Sequence, residues 1–281
     1  MRIRRPASRK LPLTNKGRLA LLFLGTGSAF TKKNYQNNLL IVKGDDHLLV
    51  DCGTRGPEAL TRLGRTVGDI RNYYVTHSHA DHIGGLEEVM LVNRYMTRAK
   101  PHIYIPEEFE RIIWQHSLSG GSAPNERHDG EELGFEDFWV VHRPTERPDL
   151  PRAATEVQVG SINLKTFRTR HFPEQARTWE DAFYSVGFVI DDRVLFSGDT
   201  QYDEELVTTM DELYQPEVIF HDVQFFTGGI HASLKEVNGL PRSVRDRIYL
   251  MHYPDSWRDH ADEAKQHGMQ FARPWTFYEF S

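Results

Sequence analysis

The chain has 281 residues, 39% of them hydrophobic, which is enough for the core of one large α/β domain or two small ones. Its longest apolar run, Leu19–Leu24, has the length of a strand, and no apolar segment follows the basic N-terminus, so the composition excludes a membrane-spanning helix or a secretory signal. The single cysteine, Cys52, excludes an intramolecular disulfide framework and favours a reducing compartment, so we expect a cytoplasmic protein.

The charge is unevenly distributed along the chain. Residues 1–18 hold seven of the 34 Lys and Arg residues and no acid, whereas the remaining chain has 27 basic and 40 acidic residues. A basic arm on an acidic body is able to contact nucleic acid or an anionic substrate, although a solvated tail is the simpler interpretation. We therefore predict a flexible basic arm over residues 1–18, followed by one domain over residues 19–281.

The first half of the chain alternates between strand-like and helix-like segments. Leu19–Leu24 predicts a buried strand, and Gly25-Thr26-Gly27-Ser28 after it is a Gly-rich exit that lets the backbone approach a ligand closely. Residues 37–42 and 47–50 predict a hairpin. The helical segments are 58–64 and 86–95, and a further strand is predicted over 70–75. This alternation predicts a sheet flanked by helices, with a site at the strand ends.

Four ligand-type side chains follow the strand at 70–75. His77, His79, Asp81 and His82 lie within six consecutive residues, and burying such groups without partners costs roughly 2–7 kcal/mol each. Neutral imidazole and carboxylate are groups that zinc and similar ions accept as ligands. His77 and His79 leave an extended segment in the same direction and can chelate one ion. Asp81 and His82 face a second ion beside it.

The middle of the chain is less regular. A strand at 103–106 precedes a helix over 107–118, whose apolar stripe packs either within the monomer or at a homodimer interface; the stripe consists of Phe109, Ile112, Ile113 and Trp114. The Gly-, Pro- and charge-rich stretch that follows is interpreted as an insertion near residues 107–155, serving as a cap or a dimer contact. Strand alternation then returns over residues 157–169, before a second hairpin.

The stretch His77-Ser78-His79-Ala80-Asp81-His82 resembles the H-x-H-x-D-H signature of the metallo-β-lactamase superfamily of binuclear metallohydrolases. Four further residues resemble the superfamily's other motifs in the right order, namely Asp51 in LLVDCG, His171 in RTRHF, Asp199 in FSGDT and His252 in YLMHY. The resemblance covers most of the chain. It implies an α/β fold, the αββα sandwich in which two sheets pack face to face.

The same resemblance implies a ligand set for two divalent ions. His77, His79 and His171 would hold one ion, and Asp81, His82 and His252 the other, with Asp199 bridging both. The ions would share a hydroxide, which Asp81 also orients. His-rich ligation favours zinc, and manganese is the alternative because carboxylates and water also suit it. Asp51 is expected to accept the second N–H of a ligand imidazole, with a helix N-cap as the alternative.

Asp222 and the stretch His231-Ala232-Ser233 resemble the acidic residue and the H-x-[ST] pair of tRNA 3′-processing endonucleases (ribonuclease Z) and related phosphodiesterases. In this resemblance Asp222 orients His231, which protonates the leaving oxygen as a general acid. The alternative is that His231 caps a helix starting at Ala232. The predicted catalytic residues are therefore Asp81, Asp222 and His231.

The predicted function is that of a metal-dependent phosphodiesterase acting through a metal-bridging hydroxide. The chain has no long Gly/Pro-rich arm of the type with which tRNA-processing enzymes hold their RNA, so a cyclic nucleotide or other small phosphodiester is the preferred substrate. This resembles the anti-Pycsar type of cyclic-nucleotide phosphodiesterase, which closes over its substrate as a homodimer. The alternatives are a ribonuclease Z-like enzyme with an RNA substrate and a lactonase or thioesterase. A non-catalytic interaction scaffold would usually have lost ligands.

Overall fold

The computed structural model of the chain describes residues 1–6 and 10–281 and contains two mixed sheets of eight strands each. The first sheet comprises, in spatial order, β1 (Arg2–Arg4), β18 (Phe277–Phe280), β2 (Leu19–Gly25), β3 (Asn38–Lys43), β4 (Asp46–Val50), β5 (Asn72–Tyr74), β6 (His102–Tyr104) and β9 (Val140–His142). The second comprises β10 (Thr145–Glu146), β11 (Ala154–Val159), β12 (Ile162–Arg168), β13 (Val186–Ile190), β14 (Val194–Phe196), β15 (Val218–Asp222), β16 (Ile248–Met251) and β17 (Gln270–Phe271). A separate hairpin consists of β7 (Arg127–His128) and β8 (Glu131–Glu132).

Helices cover the outer faces of both sheets. The helices are α1 (Gly56–Arg62), α2 (Ala80–Ile83), α3 (Leu86–Val92), α4 (Glu107–Ile113), α5 (Ser119–Ser122), α6 (Phe135–Phe138), α7 (Glu204–Tyr214), α8 (Leu234–Val237), α9 (Arg242–Arg245) and α10 (Ala261–Gln266). Turns of π-helix extend α3 over Asn93–Thr97 and α4 over Trp114–Leu118. None of the helices in the described ranges is long and apolar enough to cross a membrane.

The apolar side chains of β2 explain why both faces of its sheet are covered. Leu21 and Phe23 point into the core between the two sheets, where the Phe23 and Phe220 rings meet edge to face with centroids 4.9 Å apart. Leu22 and Leu24 point the other way, into the core beneath the helices. A strand that is buried on both faces lacks the usual polar alternation. The result is the predicted αββα sandwich, which confirms the α/β fold class.

The N-terminal arm differs from the flexible tail that its basic composition predicts. Residues Arg2–Arg4 pair antiparallel with the last strand, and Arg4 forms an ion pair with Glu279 at 2.6 Å. Leu11 and Leu13 are buried against the outer core of the first sheet. Main-chain pairing and these two leucines therefore hold the described parts of the arm, which are residues 1–6 and 10–18, on the body.

The segment predicted as an insertion near residues 107–155 contributes to both sheets. Strand β9 extends the first sheet next to β6, and β10 extends the second next to β11. The aromatic residues of this segment are buried in the core between the first sheet and its helices, so the segment packs against the rest of the domain. These buried aromatics are Phe109, Phe135, Phe138 and Trp139.

The apolar stripe of α4 packs within the monomer, the first of the two alternatives for it. Phe109 and Ile113 are fully buried, and Ile112 and Trp114 pack against the same core while remaining partly exposed. All four residues of the stripe therefore contact the core of the monomer, and only Ile112 and Trp114 keep part of their surface exposed.

Candidate metal centre

All the predicted ligands follow strands that end at one edge of the sandwich. Strands β4 and β5 run parallel in the first sheet, and β14, β15 and β16 run parallel in the second. The carboxyl ends of parallel strands meet at the same edge, so the residues after them converge. An isolated bridge between His77 and Ser185 joins the loops of the two sheets there.

The turn before Asp199 requires a glycine. Gly198 has a φ of +64°, and a Cβ atom at this position would lie 2.3 Å from the Val186 carbonyl oxygen. Only glycine allows this close approach, which directs the next residue, Asp199, into the site. Asp51 and His252 also adopt positive φ angles, 63° and 56°, although both carry side chains. Such backbone strain persists where the surrounding structure over-determines it, typically at functional sites.

The first ligand group contains three imidazoles. The Nδ1 atom of His79 lies 3.0 Å from Nε2 of His77 and 3.1 Å from Nε2 of His171. His171 donates its Nδ1–H to the Ile230 carbonyl oxygen at 2.9 Å, which leaves the Nε2 lone pair directed at the group. Burial lowers the pKa of His77 and of His171 well below the ordinary value, so both are neutral at neutral pH, as metal ligation requires.

The second ligand group combines two imidazoles with two carboxylates. Oδ2 of Asp199 lies 3.2 Å from Nε2 of His82 and 3.2 Å from Nε2 of His252. Oδ2 of Asp81 lies 3.2 Å and 3.1 Å from the same two nitrogens. Although burial by itself raises the pKa of Asp81, the neighbouring His82 and His252 lower it below the ordinary value.

Asp199 lies between the two groups. The oxygen that contacts His82 and His252 is also 3.8 Å from Nε2 of His77 and 3.9 Å from Nε2 of His171. This is the position that the bridging assignment requires. The structure therefore brings together all seven predicted ligands, in the two groups that the superfamily motifs imply.

The donor set fits two divalent cations. Both carboxylate oxygens of Asp199 are buried without a hydrogen-bond partner, and so is Nε2 of His82. A buried carboxylate without partners is costly, and coordination of cations removes that cost. The ligand atoms of each group lie within 4.8 Å of one another, which is close enough for one ion per group.

Asp51 holds ligands of both groups in orientation. Its Oδ2 accepts hydrogen bonds from Nδ1 of His82 at 2.7 Å and from Oγ1 of Thr76 at 2.8 Å. The Thr76 hydroxyl also lies 3.1 Å from Nδ1 of His77, so it links Asp51 to a ligand of the first group. Asp51 thus contacts a ligand imidazole as expected, and it caps no helix, because α1 begins at Gly56.

Asp222 and His231 form the predicted dyad beside both ligand groups. Nδ1 of His231 lies 2.8 Å from Oδ2 of Asp222, which also accepts the backbone N–H of Thr200 at 3.1 Å. The His231 ring centroid is 4.6 Å from that of His252 and 4.9 Å from that of His171. The alternative role for His231 is not seen, because Ser233 is the residue that caps α8.

Three contacts of the site have no clear signal in the sequence. They are the Thr76 hydroxyl, the Ile230 carbonyl oxygen and the ring of Phe172, whose centroid lies 4.5 Å from that of His79. Of these only Thr76 has a recognisable context, since a hydroxyl residue directly before the first ligand histidine can reach the carboxylate behind the site.

The sandwich and the paired ligand groups define the metallo-β-lactamase fold and the class of binuclear metallohydrolases. Solved structures agree on the fold. A diphosphatase of the PhnP family matches with a TM-score of 0.69 and 16% identity, covering 94% of this chain and 98% of that one. The metallo-β-lactamase fold protein YhfI from Bacillus subtilis matches with a TM-score of 0.68 and 16% identity, covering 94% and 100%.

The sequence identifies the family within this class. The family model described as anti-Pycsar protein Apyc1 matches residues 19–278, so the chain belongs to that family. The anti-Pycsar protein Apyc1 of Bacillus phage BSP38 is 37% identical over 241 residues, which cover 84% of this chain and 89% of that protein. These matches confirm the predicted superfamily, the predicted anti-Pycsar branch and the predicted class of activity, a metal-dependent phosphodiesterase.

Proposed function

We propose that this chain hydrolyses the phosphodiester bond of a cyclic nucleotide at the seven-ligand centre, with the Asp222–His231 dyad as its acid machinery. The observation that carries the proposal is the position of His231, whose ring stands against one histidine of each ligand group while its Nδ1 is held by a fully buried carboxylate. A hydrolase of an ester with a good leaving group has no need of such a dyad.

Two divalent ions would occupy the centre, one held by His77, His79 and His171, the other by Asp81, His82 and His252, with Asp199 shared. Five of the seven ligands are imidazoles, which favours zinc over manganese. Bound ions of this kind neutralise phosphate oxygens and lower the pKa of a coordinated water towards neutrality. Asp81 would accept a proton from that water and so orient it towards phosphorus.

His231 supplies the proton for the leaving oxygen. With Nδ1 bonded to Asp222, the Nε2 atom is the one free to face substrate, and about a fifth of the side chain (18%) is exposed towards solvent. When the P–O bond to the ribose breaks, the Nε2 proton passes to the departing alkoxide. Asp222 stabilises the charged imidazole before that transfer and fixes its orientation, as a carboxylate partner does in other acid–base pairs.

A hydrolysis screen tests the proposal. Metal-loaded protein is assayed against cyclic nucleotides, precursor tRNA, bis(p-nitrophenyl) phosphate and lactones, with zinc and manganese compared, and with Asp199→Ala as the inactive control. We expect linear nucleoside monophosphates from the cyclic nucleotides as the fastest reaction. Faster cleavage of precursor tRNA would favour the ribonuclease Z-like alternative, and faster lactone opening would contradict phosphodiester chemistry altogether.

We also propose that the chain is a homodimer, on the resemblance to the anti-Pycsar type, and that it is cytoplasmic, because its single cysteine favours a reducing compartment. Since Phe109 and Ile113 are buried in the monomer, the dimer contact would rest mainly on other residues. Light scattering at assay concentrations measures the assembly directly, and a monomer that is fully active would contradict the dimer.

A further inference from the structure

A cavity lined by arginines lies at the lateral edge of the sandwich, where β1 and β18 end the first sheet. Its volume is about 480 Å³, and four arginines line it: Arg4, Arg5, Arg258 and Arg273. No Asp or Glu is among its lining residues. Arg4 and Arg5 belong to the basic N-terminal segment, whereas Arg258 and Arg273 come from the remainder of the chain, in which acidic residues outnumber basic ones.

Three of these guanidinium groups have no acidic partner. Arg4 pairs with Glu279, but within residues 1–6 and 10–281 no carboxylate forms an ion pair with Arg5, Arg258 or Arg273. Arg5, Arg258 and Arg273 are exposed, so water screens much of their mutual repulsion and their side chains are accessible to an anion. Arginines without an acidic partner are therefore available to bind an anion. The guanidinium group binds phosphate oxygens with paired N–H donors.

Trp257 fixes two of the arginines in place. The Cζ atoms of Arg258 and Arg273 lie 4.8 Å and 4.1 Å from the centroid of its ring. The indole is only 4% exposed, so it serves as a rigid support for the guanidinium groups and is itself inaccessible to a ligand. Two cations held on one ring before any ligand arrives lose less entropy when they bind a phosphate.

A second cavity adjoins the first, because Ile3 and Arg273 line both. It has a volume of about 540 Å³ and is lined in part by Tyr249, Phe271 and Tyr278, which are 8%, 6% and 1% exposed, so that only small parts of these residues reach the cavity. The Gln270 amide and the Asp262 carboxylate add hydrogen-bonding groups. Apolar and aromatic walls with a few polar groups are typical of sites for planar organic ligands.

We propose that the two cavities together form a second, non-catalytic site that binds a nucleotide. Arg258 and Arg273 would hold its phosphate, and the adjoining cavity would hold its base. None of the seven metal ligands and neither member of the Asp222–His231 dyad lines either cavity, so this site is separate from the metal centre. The proposal does not depend on which substrate the metal centre hydrolyses.

Calorimetric titration of the metal-loaded, full-length protein with 5′-AMP tests the proposal. This phosphomonoester is not consumed by a phosphodiesterase, so binding is measured without turnover. We expect two binding events per chain, of which Asp199→Ala removes one and retains the other. Arg258→Gln and Arg273→Gln should each weaken the retained event roughly tenfold or more, the effect typical of losing a hydrogen bond to a charged group. Arg111→Gln, which neutralises an exposed arginine on α4, should leave both events unchanged.

Two results would overturn the second site. One is a single binding event per chain that Asp199→Ala abolishes, and the other is an equal affinity of Arg258→Gln, Arg273→Gln and Arg111→Gln for 5′-AMP. Inorganic phosphate that binds as tightly as 5′-AMP would overturn the assignment to a nucleotide. Since each readout is binding, failure of the site is distinguishable from absence of cyclic-nucleotide hydrolysis.

Discussion

The two ligand groups of the metal centre differ in charge although one carboxylate joins them. In the first group His77 and His171 are neutral, because burial lowers the pKa of each. In the second, burial also lowers the pKa of His82, but the carboxylates, Asp81 foremost, raise it well above the ordinary value. The first group is thus ready for a cation, whereas the second must exchange a proton for one. Because Asp199 belongs to both groups, metal binding at one group affects metal binding at the other.

Removing the shared carboxylate should have the largest effect. Asp199→Ala takes a ligand from both groups, including the one carboxylate within residues 1–6 and 10–281 that contacts the first group, so we expect hydrolysis to fall to background and bound metal to fall to one equivalent or less. Metal analysis after gentle purification, beside a phosphodiesterase assay, measures both. Normal turnover with two retained ions would contradict the bridging role.

Removing a carboxylate of the second group alone should separate the groups. Asp81→Ala should also abolish hydrolysis, because Asp81 is both a ligand and the proposed water-orienting group. Unlike Asp199→Ala, it should retain close to one equivalent of metal, held by the three histidines. If the variant loses all metal, the groups do not bind independently, and if it keeps two ions, Asp81 is not a ligand.

The proton exchange at the second group gives a pH-dependent test. A pKa raised above the usual range keeps His82 protonated at neutral pH in the metal-free protein, and ligation requires its neutral form, so loading must release that proton. The first group has none to release. Metal titrations in buffers of different ionisation enthalpy should show that the wild type releases at least one proton more than Asp81→Ala. Equal proton release by the wild type and Asp81→Ala would contradict the proposed difference in charge between the two ligand groups.

Smaller effects should follow from the residues behind the ligands. Asp51→Asn weakens the acceptor for His82, and loss of such outer contacts typically costs about 10–100-fold in metal affinity or activity. Thr76→Val removes only the hydroxyl that relays Asp51 to His77, so its effect should be smaller and confined to the first group. A larger loss of metal affinity or activity in Thr76→Val than in Asp51→Asn would contradict this order.

The seven candidate ligands can be named from the sequence because the motifs that contain them resemble those of the superfamily, and the structure brings these residues together. Asp199 and His252 follow the apolar strands β14 and β16, which run parallel in one sheet and therefore end at the same edge, whereas the approach of His77 from the other sheet is implied only by the resemblance to the superfamily. The N-terminal strand was not predictable, since Arg2–Arg4 pairs with residues 277–279 at the other end of the chain. The arginine cavity was missed for the same reason, because its members come from both termini.

The most direct test of the account concerns the leaving group. His231→Ala should keep both metals and much of its activity on bis(p-nitrophenyl) phosphate, because p-nitrophenolate departs without a proton. On a cyclic nucleotide, whose ribose oxygen needs that proton, it should lose roughly 10²–10⁴ in rate, the usual contribution of a general acid. Asp222→Asn should lose part of the same rate, and His116→Ala, which alters an exposed histidine on the π-turn after α4, should match the wild type on both substrates. Equal losses on the two substrates, or none on either, would contradict the role of His231 as the acid.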